Sequence, residues 1–404
     1  MSILPFFEEK QEEVSLLIDI GNGSIGGAFV LWKKGKIPNI LYNVRLPFVI
    51  TEDTDSSKLI QGMDALLEQI LDLIMDKGFT ADFWKKRQKK LASILVSFSA
   101  PWFASRTKNI HIVEEKPFTV TSAFLDSIMD KEEILFKDEL KKISPESSFV
   151  VIEKSIVHTK INGYALDQSV GKKTKILDLS ICLSVVAKNI VEKVDKTVSK
   201  HINIPKEKIF FHSFPLISFT VLRDMFPGIS DFIMIDATSE IVEMTVVRDG
   251  VIDETVSFPY GRNFVVREIA RTLNVPNEVA LSTLHMYNEN KANDLTVNNV
   301  QDVLVNIEKK WSEGLDKAFG QLIDKTSIPK RAYITADADV AGVFMDFLKL
   351  PKGDSTSDFR KNLSVVHLNH DRLSDLYETN PTNKQDEFVA LLSIFYNKMR
   401  NQVF

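Results

Sequence analysis

The sequence predicts an α/β protein of two related lobes, with a small α+β domain inserted into the first half. Three observations lead to this fold class. A unit of three β-rich runs followed by a helical segment starts near residue 14, the same order of parts returns near residue 232, and a strand–helix–strand–strand pattern lies between them. At 404 residues the chain is long enough for two to three hydrophobic cores.

The first unit is a β-meander that leads into an amphipathic helix. Its three β-rich runs cover residues 14–20, 28–32 and 40–44, and a glycine-rich turn at 21–27 joins the first two. Apolar residues then recur at helical spacing over residues 57–75. This order predicts a sheet that is covered by a helix.

The second unit repeats this design. Its runs cover residues 232–236, 241–247 and 251–258, and helical segments follow at 264–273 and 278–287. The first run ends in Asp236, as the first run of the earlier unit ends in Asp19-Ile20, and the two aspartates stand 217 positions apart (236 minus 19). Two such units in one chain indicate a duplicated architecture.

The intervening segment is expected to form a domain of its own. It has strands at 91–98, 148–158 and 175–186, and a helix at 123–135 capped by Thr121 or Ser122. Asn162-Gly163 is typical of a hairpin turn. The expected divisions are 1–88 for the first part of lobe one, 89–168 for the insert, 169–188 for the second part of lobe one, 189–350 for lobe two, and 351–404 for a return to lobe one.

The composition of the sequence argues against some classes of function. The net charge of −5 disfavours a general nucleic-acid binder. Cys182 is the one cysteine and lies in an apolar run, which fits buried filler and a reducing compartment. No leader and no apolar stretch of about 20 residues is evident, so we expect a cytoplasmic protein. The basic run at 85–90 is interpreted as a solvated helix end, with contact to anionic lipid or an acidic partner as the alternative.

The glycine-rich turn admits more than one interpretation. Gly21, Gly23 and Gly26 fit G-x-G-x-x-G, but a dinucleotide-binding fingerprint needs a helix to start at the glycines, and residues 28–32 have the pattern of a strand. A glycine turn between antiparallel strands can still bind phosphate through its N–H groups, with Asp19 holding Mg²⁺ through water. The alternative interpretation is that this turn and the one after Asp236 belong to two ordinary hairpins, in which the aspartates cap the turns.

The order of four motifs resembles the actin-like ATPase superfamily, which includes actin, the heat-shock chaperone ATPases and hexokinase. Residues 17–24 resemble its first phosphate loop, 235–240 stand in place of the second, and 259–263 resemble a glycine step that opens a helix. Residues 333–342 resemble its adenosine segment. Segments 96–100 and 155–167 resemble parts of the inserted SHS2-like subdomain of the FtsA and PilM type. The resemblance implies a duplicated, ribonuclease H-like fold with this insert.

The resemblance also implies a nucleotide site for ATP and Mg²⁺ in the cleft between the lobes. Asp19 and Asp236 are the implied magnesium-holding residues, through water. The implied nucleotide-binding residues are Asp19, Gly21, Asn22, Gly23, Ser24, Asp236, Thr238, Ser239, Gly261, Thr335 and Asp337.

Departures from the family pattern predict a weakened site. The second loop has Ala237, Ser239 and Glu240 where small flexible residues are usual, and a Glu240 turned inward would repel phosphate. Ala336-Asp337 replaces a glycine pair, and the chain has Ala280-Leu281 and Leu284 where the family has an Ala-Glu…Lys pattern, so both charges are missing. We therefore expect at most a slow ATPase, and no residue is nominated as its base.

Four functions follow as expectations. The first is an FtsA-like cytoplasmic scaffold that organises a division assembly at the membrane and self-associates. The second is a PilM-like assembly factor of type IV pilus or secretion machinery, recruited by the cytoplasmic tail of an inner-membrane protein. A small-molecule kinase and a plain interaction domain are the others. The terminal helix at 388–404 is expected to pack on lobe one instead of on lipid.

Overall fold

The computed structural model describes residues 12–49, 56–78, 91–166, 168–288, 291, 293–322, 328–349 and 363–403. The basic run at 85–90 lies outside the described residues. Among the described helices, none combines the length and the apolar character that crossing a membrane requires.

Lobe one is built on a six-stranded sheet in the order β15-β3-β2-β1-β4-β9. Its strands are β1 Glu12–Ile20, β2 Ser24–Lys33, β3 Asn39–Pro47, β4 Ser93–Phe98, β9 Ile209–Ser213 and β15 Glu378–Thr379. Because successive side chains point to opposite faces, Leu16 and Ile18 enter one core while Leu17 enters another. Both faces of this sheet are therefore buried.

Four helices cover the two faces of that sheet. They are α1 Ser56–Leu73, α3 Lys188–His201, α4 Phe214–Met225 and α10 Glu387–Val403. Helices α1 and α3 pack on one face, and α4 and α10 pack on the other. Leu391 and Leu392 of α10 are fully buried, so the terminal helix belongs to the lobe-one core as the sequence predicts.

Lobe two repeats the arrangement with a five-stranded sheet in the order β12-β11-β10-β13-β14. Its strands are β10 Phe232–Ala237, β11 Val242–Arg248, β12 Val251–Phe258, β13 Arg331–Ala336 and β14 Ser364–His367. Its helices are α5 Arg262–Leu273, α6 Asn277–Asn288, α7 Asp294–Leu322 and α8 Ala341–Lys349, with a short α9 His370–Leu373 after β14. The main core lies between the sheet and α5 to α8.

The pairing of the strands confirms the duplication. Strand β1 pairs antiparallel with β2 and parallel with β4, and β10 pairs antiparallel with β11 and parallel with β13. Helix α4 contributes Val221 to the core of lobe one and Phe219 and Leu222 to a cluster on the lobe-two sheet. The β1–β2 and β10–β11 turns occupy equivalent positions in the two lobes.

The insert is a four-stranded antiparallel sheet in the order β5-β8-β6-β7, with one helix on it. Its elements are β5 Phe103–Thr119, α2 Ser122–Ile143, β6 Phe149–Ile161, β7 Tyr164–Ala165 and β8 Lys173–Ala187. Thr121 caps α2 by accepting a hydrogen bond from the Phe124 N–H at 3.2 Å. Asn162 and Gly163 both have positive φ, 50° and 84°, as a tight hairpin turn requires.

The sheet pairings shift the domain divisions that the sequence suggests. Strand β8, expected in lobe one from residue 169, pairs with β5 and β6 of the insert. Strand β9, expected in lobe two from residue 189, pairs with β4 of lobe one. Strand β5 was not predicted at all, because its residues are mostly polar and partly exposed and carry no apolar periodicity.

Candidate functional site: the cleft between the lobes

Asp19 lies at the end of β1 with both carboxylate oxygens bound by protein groups. Ser97 Oγ donates to one oxygen at 2.6 Å, and Arg45 Nη2 donates to the other at 2.8 Å. Asp19 is 1% exposed, and its burial raises the pKa of the carboxyl group while Arg45 and Ser97 oppose that rise. A hydrated Mg²⁺ at Asp19 would have to displace the guanidinium of Arg45.

Arg45, on β3, joins the first loop to the terminal helix. Its Nε donates to Asp386 Oδ2 at 2.8 Å, its Nη1 donates to Ser24 Oγ at 2.9 Å, and its guanidinium lies 4.8 Å from the ring centre of Phe388. Burial disfavours the charged form of Arg45, but the two carboxylates outweigh burial and raise its pKa. Asp386 also caps α10 by accepting from the Val389 N–H at 3.1 Å.

The first loop is fixed by hydrogen bonds within lobe one. The Gly21 N–H donates to the Ser24 carbonyl at 3.0 Å, which closes the turn. The Gly21 carbonyl accepts from Trp102 Nε1 at 2.7 Å, and the Gly23 carbonyl accepts from the Phe48 N–H at 2.8 Å. The loop is thus held by its own lobe in one conformation.

The second loop lies directly against the first. The Glu240 N–H donates to Asn22 Oδ1 at 3.0 Å, which is a hydrogen bond from one lobe to the other. A Cβ atom placed on Gly23 would lie 1.2 Å from Ser239 Oγ. Ser239 is 2% exposed, so its side chain fills the space beside Gly23. In this structure the glycine admits a serine side chain from the other lobe.

The start of α5 is bonded to the second loop as well. The Arg262 N–H donates to the Thr238 carbonyl at 3.2 Å, and the Asn263 N–H donates to the Ser239 carbonyl at 2.7 Å. A Cβ on Gly261 would lie 1.9 Å from the Thr238 carbonyl oxygen. N–H groups in the first turn of a helix are those that bind phosphate, and here two of them have protein acceptors.

Glu240 points away from the first loop, into lobe two. Its carboxylate accepts from Asn263 Nδ2 at 2.8 Å and from both terminal nitrogens of Arg267, at 2.8 and 2.7 Å. A bidentate arginine pair of this kind is among the stronger side-chain interactions. Glu240 therefore fastens the second loop to α5, and it does not face the first loop.

The segment that resembles an adenosine loop is held by an arginine that the sequence argument did not single out. Arg262 makes a bidentate contact with Asp339, with Nε and Nη2 at 2.9 and 2.6 Å from its oxygens, and lies 3.8 Å from Asp337. Thr335 Oγ1 donates to Asp236 Oδ1 at 2.8 Å. The end of β13 is thus bonded to both β10 and α5.

Several buried carboxyl groups have raised pKa values in the cleft. Burial raises the pKa of Asp236 to about 7, with repulsion from Asp19 and Asp337 adding to the effect. Burial likewise raises the pKa of Asp337 to about 6 and that of Glu243, beside Asp236, to about 8. These groups therefore carry less negative charge near pH 7 than carboxyl groups of ordinary pKa would.

The described residues in this arrangement do not fit a magnesium triphosphate. The structure does bring the nominated residues together at the lobe interface, but the N–H groups of Gly21, Arg262 and Asn263 donate to protein carbonyls, and Ser239 fills the space beside Gly23. The Thr238 hydroxyl is buried there without a protein partner. Within the described ranges, no group of three or more His, Cys, Asp or Glu side chains is arranged to hold a metal ion.

Sequence reasoning missed the residues that fix the two walls of the cleft, Arg45 and Asp386 in lobe one and Arg262 and Asp339 in lobe two. Two local signals were available. Arg45 directly follows the β-rich run 40–44 and is followed by Leu46, and Asp386 immediately precedes the terminal helix, where a cap is common. A charged residue in a strand whose side chains are largely covered needs a counter-charge, and Asp19 and Asp386 supply it here.

Comparisons with known proteins identify the fold. No protein-family model and no curated protein matches this sequence. The structure of the PilM–PilN type IV pilus biogenesis complex aligns with a TM-score of 0.58 and 11% identity, over 95% of this chain and 97% of that chain. The ethanolamine utilization protein EutJ of Carboxydothermus hydrogenoformans aligns with a TM-score of 0.42 and 12% identity, over 95% and 89% of the two chains. A Bacteroides thetaiotaomicron protein of actin-like ATPase fold and unknown function aligns with a TM-score of 0.40 and 12% identity, over 98% of this chain and 99% of that chain. The chain has the actin-like ATPase fold of PilM.

The contact between the two loops predicts a coupled pair of substitutions. Gly23→Ala should lower the free energy of unfolding by about 1–3 kcal/mol, because its Cβ collides with Ser239. Ser239→Gly removes the colliding atoms, so the double variant should recover part of that loss. Urea unfolding of the four proteins measures the coupling. Equal costs of Gly23→Ala in both backgrounds would show that the loops do not touch in solution.

The raised pKa of Asp236 predicts a pH dependence of stability. The folded-state pKa of about 7 exceeds the ordinary 3.8, so the stability from this group is complete below pH 3.8 and is lost as pH rises through 7. Between pH 5 and pH 8, the free energy of unfolding of the wild type should therefore fall relative to that of Asp236→Asn, by an amount on the order of 2 kcal/mol. Asp375→Asn, at an exposed position, is the matched control. If the free energy of unfolding of the wild type and that of Asp236→Asn change with pH in the same way, the raised pKa of Asp236 is refuted.

Proposed function

We propose that this protein is an assembly scaffold of the PilM type, whose actin-like fold is held closed by its own side chains and binds protein partners without nucleotide. The observation that carries the proposal is the direct contact between the two phosphate-loop equivalents. Asn22 meets Glu240, and Gly23 meets Ser239, where a triphosphate would have to lie. A fold that uses its cleft for internal contacts acts through its outer surfaces.

The likeness to PilM supports the choice among the scaffold functions. The aligned structure is that of a complex of PilM with PilN. The alignment covers 95% of this chain and 97% of the chain that it matches. The sequence put an FtsA-like division scaffold first and a PilM-like assembly factor second, and this comparison favours the second. By analogy, the partner of this chain is a short cytoplasmic segment of an inner-membrane protein, which recruits the scaffold to the cytoplasmic face of the membrane.

The other expected functions have less support. A small-molecule kinase needs an open phosphate clamp and a substrate pocket between the lobes, whereas the described cleft is filled by paired side chains. Slow ATP hydrolysis would require the same clamp. Asp19 has Arg45 as its cation.

The proposal predicts that MgATP does not bind at physiological concentration. Calorimetric titration of the wild type with millimolar MgATP should give no binding heat, and Asp19→Ala should give the same trace, because Arg45 already holds that carboxylate. Micromolar binding that disappears in Asp19→Ala would contradict the proposal and restore an ATP-dependent switch.

Partner binding is the positive test. Synthetic peptides that carry the cytoplasmic segments of the inner-membrane proteins encoded beside this gene should be titrated by fluorescence anisotropy. We expect one of them to bind with an affinity that MgATP leaves unchanged. Co-sedimentation with a division filament and no binding to any such peptide would favour the FtsA-like function instead.

A further inference from the structure

A small cavity lies between helix α4 and the sheet of lobe two. Its volume is about 20 Å³, which is enough for one particle of the size of a water molecule. Helix α4 forms one wall, and residues of β10, β11 and β13 form most of the other. Because α4 also contributes to the core of lobe one, the cavity lies at the joint between the two lobes.

The strand pairing brings oxygen-bearing side chains together at this cavity. Asp236 of β10 lies opposite Glu243 of β11 on one side and opposite Thr335 of β13 on the other. Side chains at paired positions of neighbouring strands point to the same face of a sheet. Thr245, two residues beyond Glu243, shares that face, and Ser218 lines the cavity from α4. All five side chains belong to residues that are at most 8% exposed.

Two of these side chains have a buried oxygen atom without a hydrogen-bond partner in the protein. These atoms are Ser218 Oγ and Glu243 Oε2. A third group is half used, because Thr335 Oγ1 donates to Asp236 Oδ1 at 2.8 Å. Buried polar atoms in folded proteins nearly always have a partner. Since Ser218 and Glu243 line the same cavity, a particle bound in it would supply the missing partner for both.

The charges around the cavity favour a cation as that particle. Two of the five polar side chains are carboxyl groups, and among the described residues that line the cavity none is basic. Buried carboxylates in proteins are paired with a cation or coordinate a metal ion. Burial raises the pKa of Glu243 to about 8 and that of Asp236 to about 7. A proton is therefore the competitor of a cation at these oxygens.

The volume and the set of oxygens select among the cations. Oxygen ligands suit hard cations, but Mg²⁺ keeps several of its waters and Ca²⁺ takes about six to eight oxygens. A cavity of about 20 Å³ has no room for waters beside an ion. Five side chains that give one oxygen each supply fewer ligands than Ca²⁺ takes. Na⁺ carries a single charge, is smaller than a water molecule and binds with fewer ligands.

We propose that this cavity is a binding site for Na⁺, held by the carboxylates of Asp236 and Glu243 and by the hydroxyl of Ser218. The bound ion adds a contact between α4 and the lobe-two sheet and so stabilises the joint between the lobes. Asp236 belongs to the magnesium pair that the family resemblance implies, but its partner here is Glu243 instead of Asp19. The site lies in the interior, so it does not depend on the proposed scaffold function.

Urea unfolding of the full chain in different salts tests the site. The equilibrium constant for folding is measured in sodium chloride and in choline chloride at the same ionic strength, above pH 8 so that protons do not compete. Each tenfold rise in sodium well above its Kd should raise this constant about tenfold, because only the folded state binds the ion. Potassium, a larger ion, should have a smaller effect. Equal stability in sodium and choline chloride would overturn the proposal and leave a water molecule as the occupant.

Substitutions at the cavity locate the ion. Ser218→Ala removes one ligand oxygen and Glu243→Gln removes a ligand charge, so each should weaken the sodium effect, with Kd raised roughly tenfold or more. Ser393→Ala is the matched control and should keep the full effect, because this buried serine of α10 donates to the Ala390 carbonyl. If Glu243→Gln does not fold, the smaller change Ser218→Ala decides. An undiminished sodium effect in the cavity variants would place the ion elsewhere and overturn the proposal.

Discussion

The conformation of the first loop depends on one buried cation, the guanidinium of Arg45. It contacts Asp19 at the end of the first strand and Asp386 at the start of the terminal helix, and the side chains of both aspartates are at most 5% exposed. Two carboxylates in such a position need a counter-charge, and removing one partner of a buried pair typically costs about 3–5 kcal/mol. In an ATPase a metal ion with its nucleotide supplies charge in such a cleft. Here a side chain of the same chain does so.

Closure then follows from contacts that each lobe already makes. Arg45 and Trp102 fix the first loop, and Glu240 fixes the second through Asn263 and Arg267, so the two loops meet as rigid pieces. Helix α4 packs on both lobes, which brings their sheets together behind the loops. The duplicated architecture is therefore stabilised by its own packing and does not require a ligand between the lobes. Partner binding can then depend on the outer surfaces alone.

Much of the fold was predictable from the sequence because it is encoded locally. The meanders of both lobes, the helix after Thr121 and the terminal helix follow from apolar periodicity, turn residues and a cap. Strand β5 was not predictable in this way, because it is held by pairing with β8. Its residue Arg106 pairs with Leu183, which lies 77 positions away (183 minus 106). The divisions between domains shifted for the same reason, since sheet membership is a long-range property.

The location of the candidate site could be predicted from the sequence, whereas the filling of the site by protein side chains could not. The strand-end aspartates and the glycine turn marked the cleft, and Ser239 and Glu240 marked its departure from the family pattern. The sequence does not show that Ser239 enters the space beside Gly23, because the two residues stand 216 positions apart (239 minus 23). It does not show that Arg45 reaches Asp19 either, because β1 and β3 are not neighbours in the sheet. Only tertiary structure shows whether a phosphate loop is open or filled.

The most direct test of the closed cleft is amide hydrogen exchange at Glu240, whose N–H donates to Asn22 of the other lobe. The exchange rate is measured on the wild type with and without millimolar MgATP. We expect slow exchange in the absence of nucleotide and no change when MgATP is added, because the acceptor is a protein side chain. Rapid exchange without nucleotide that becomes slow with MgATP would show that the lobes close on a nucleotide, and would contradict the account given above.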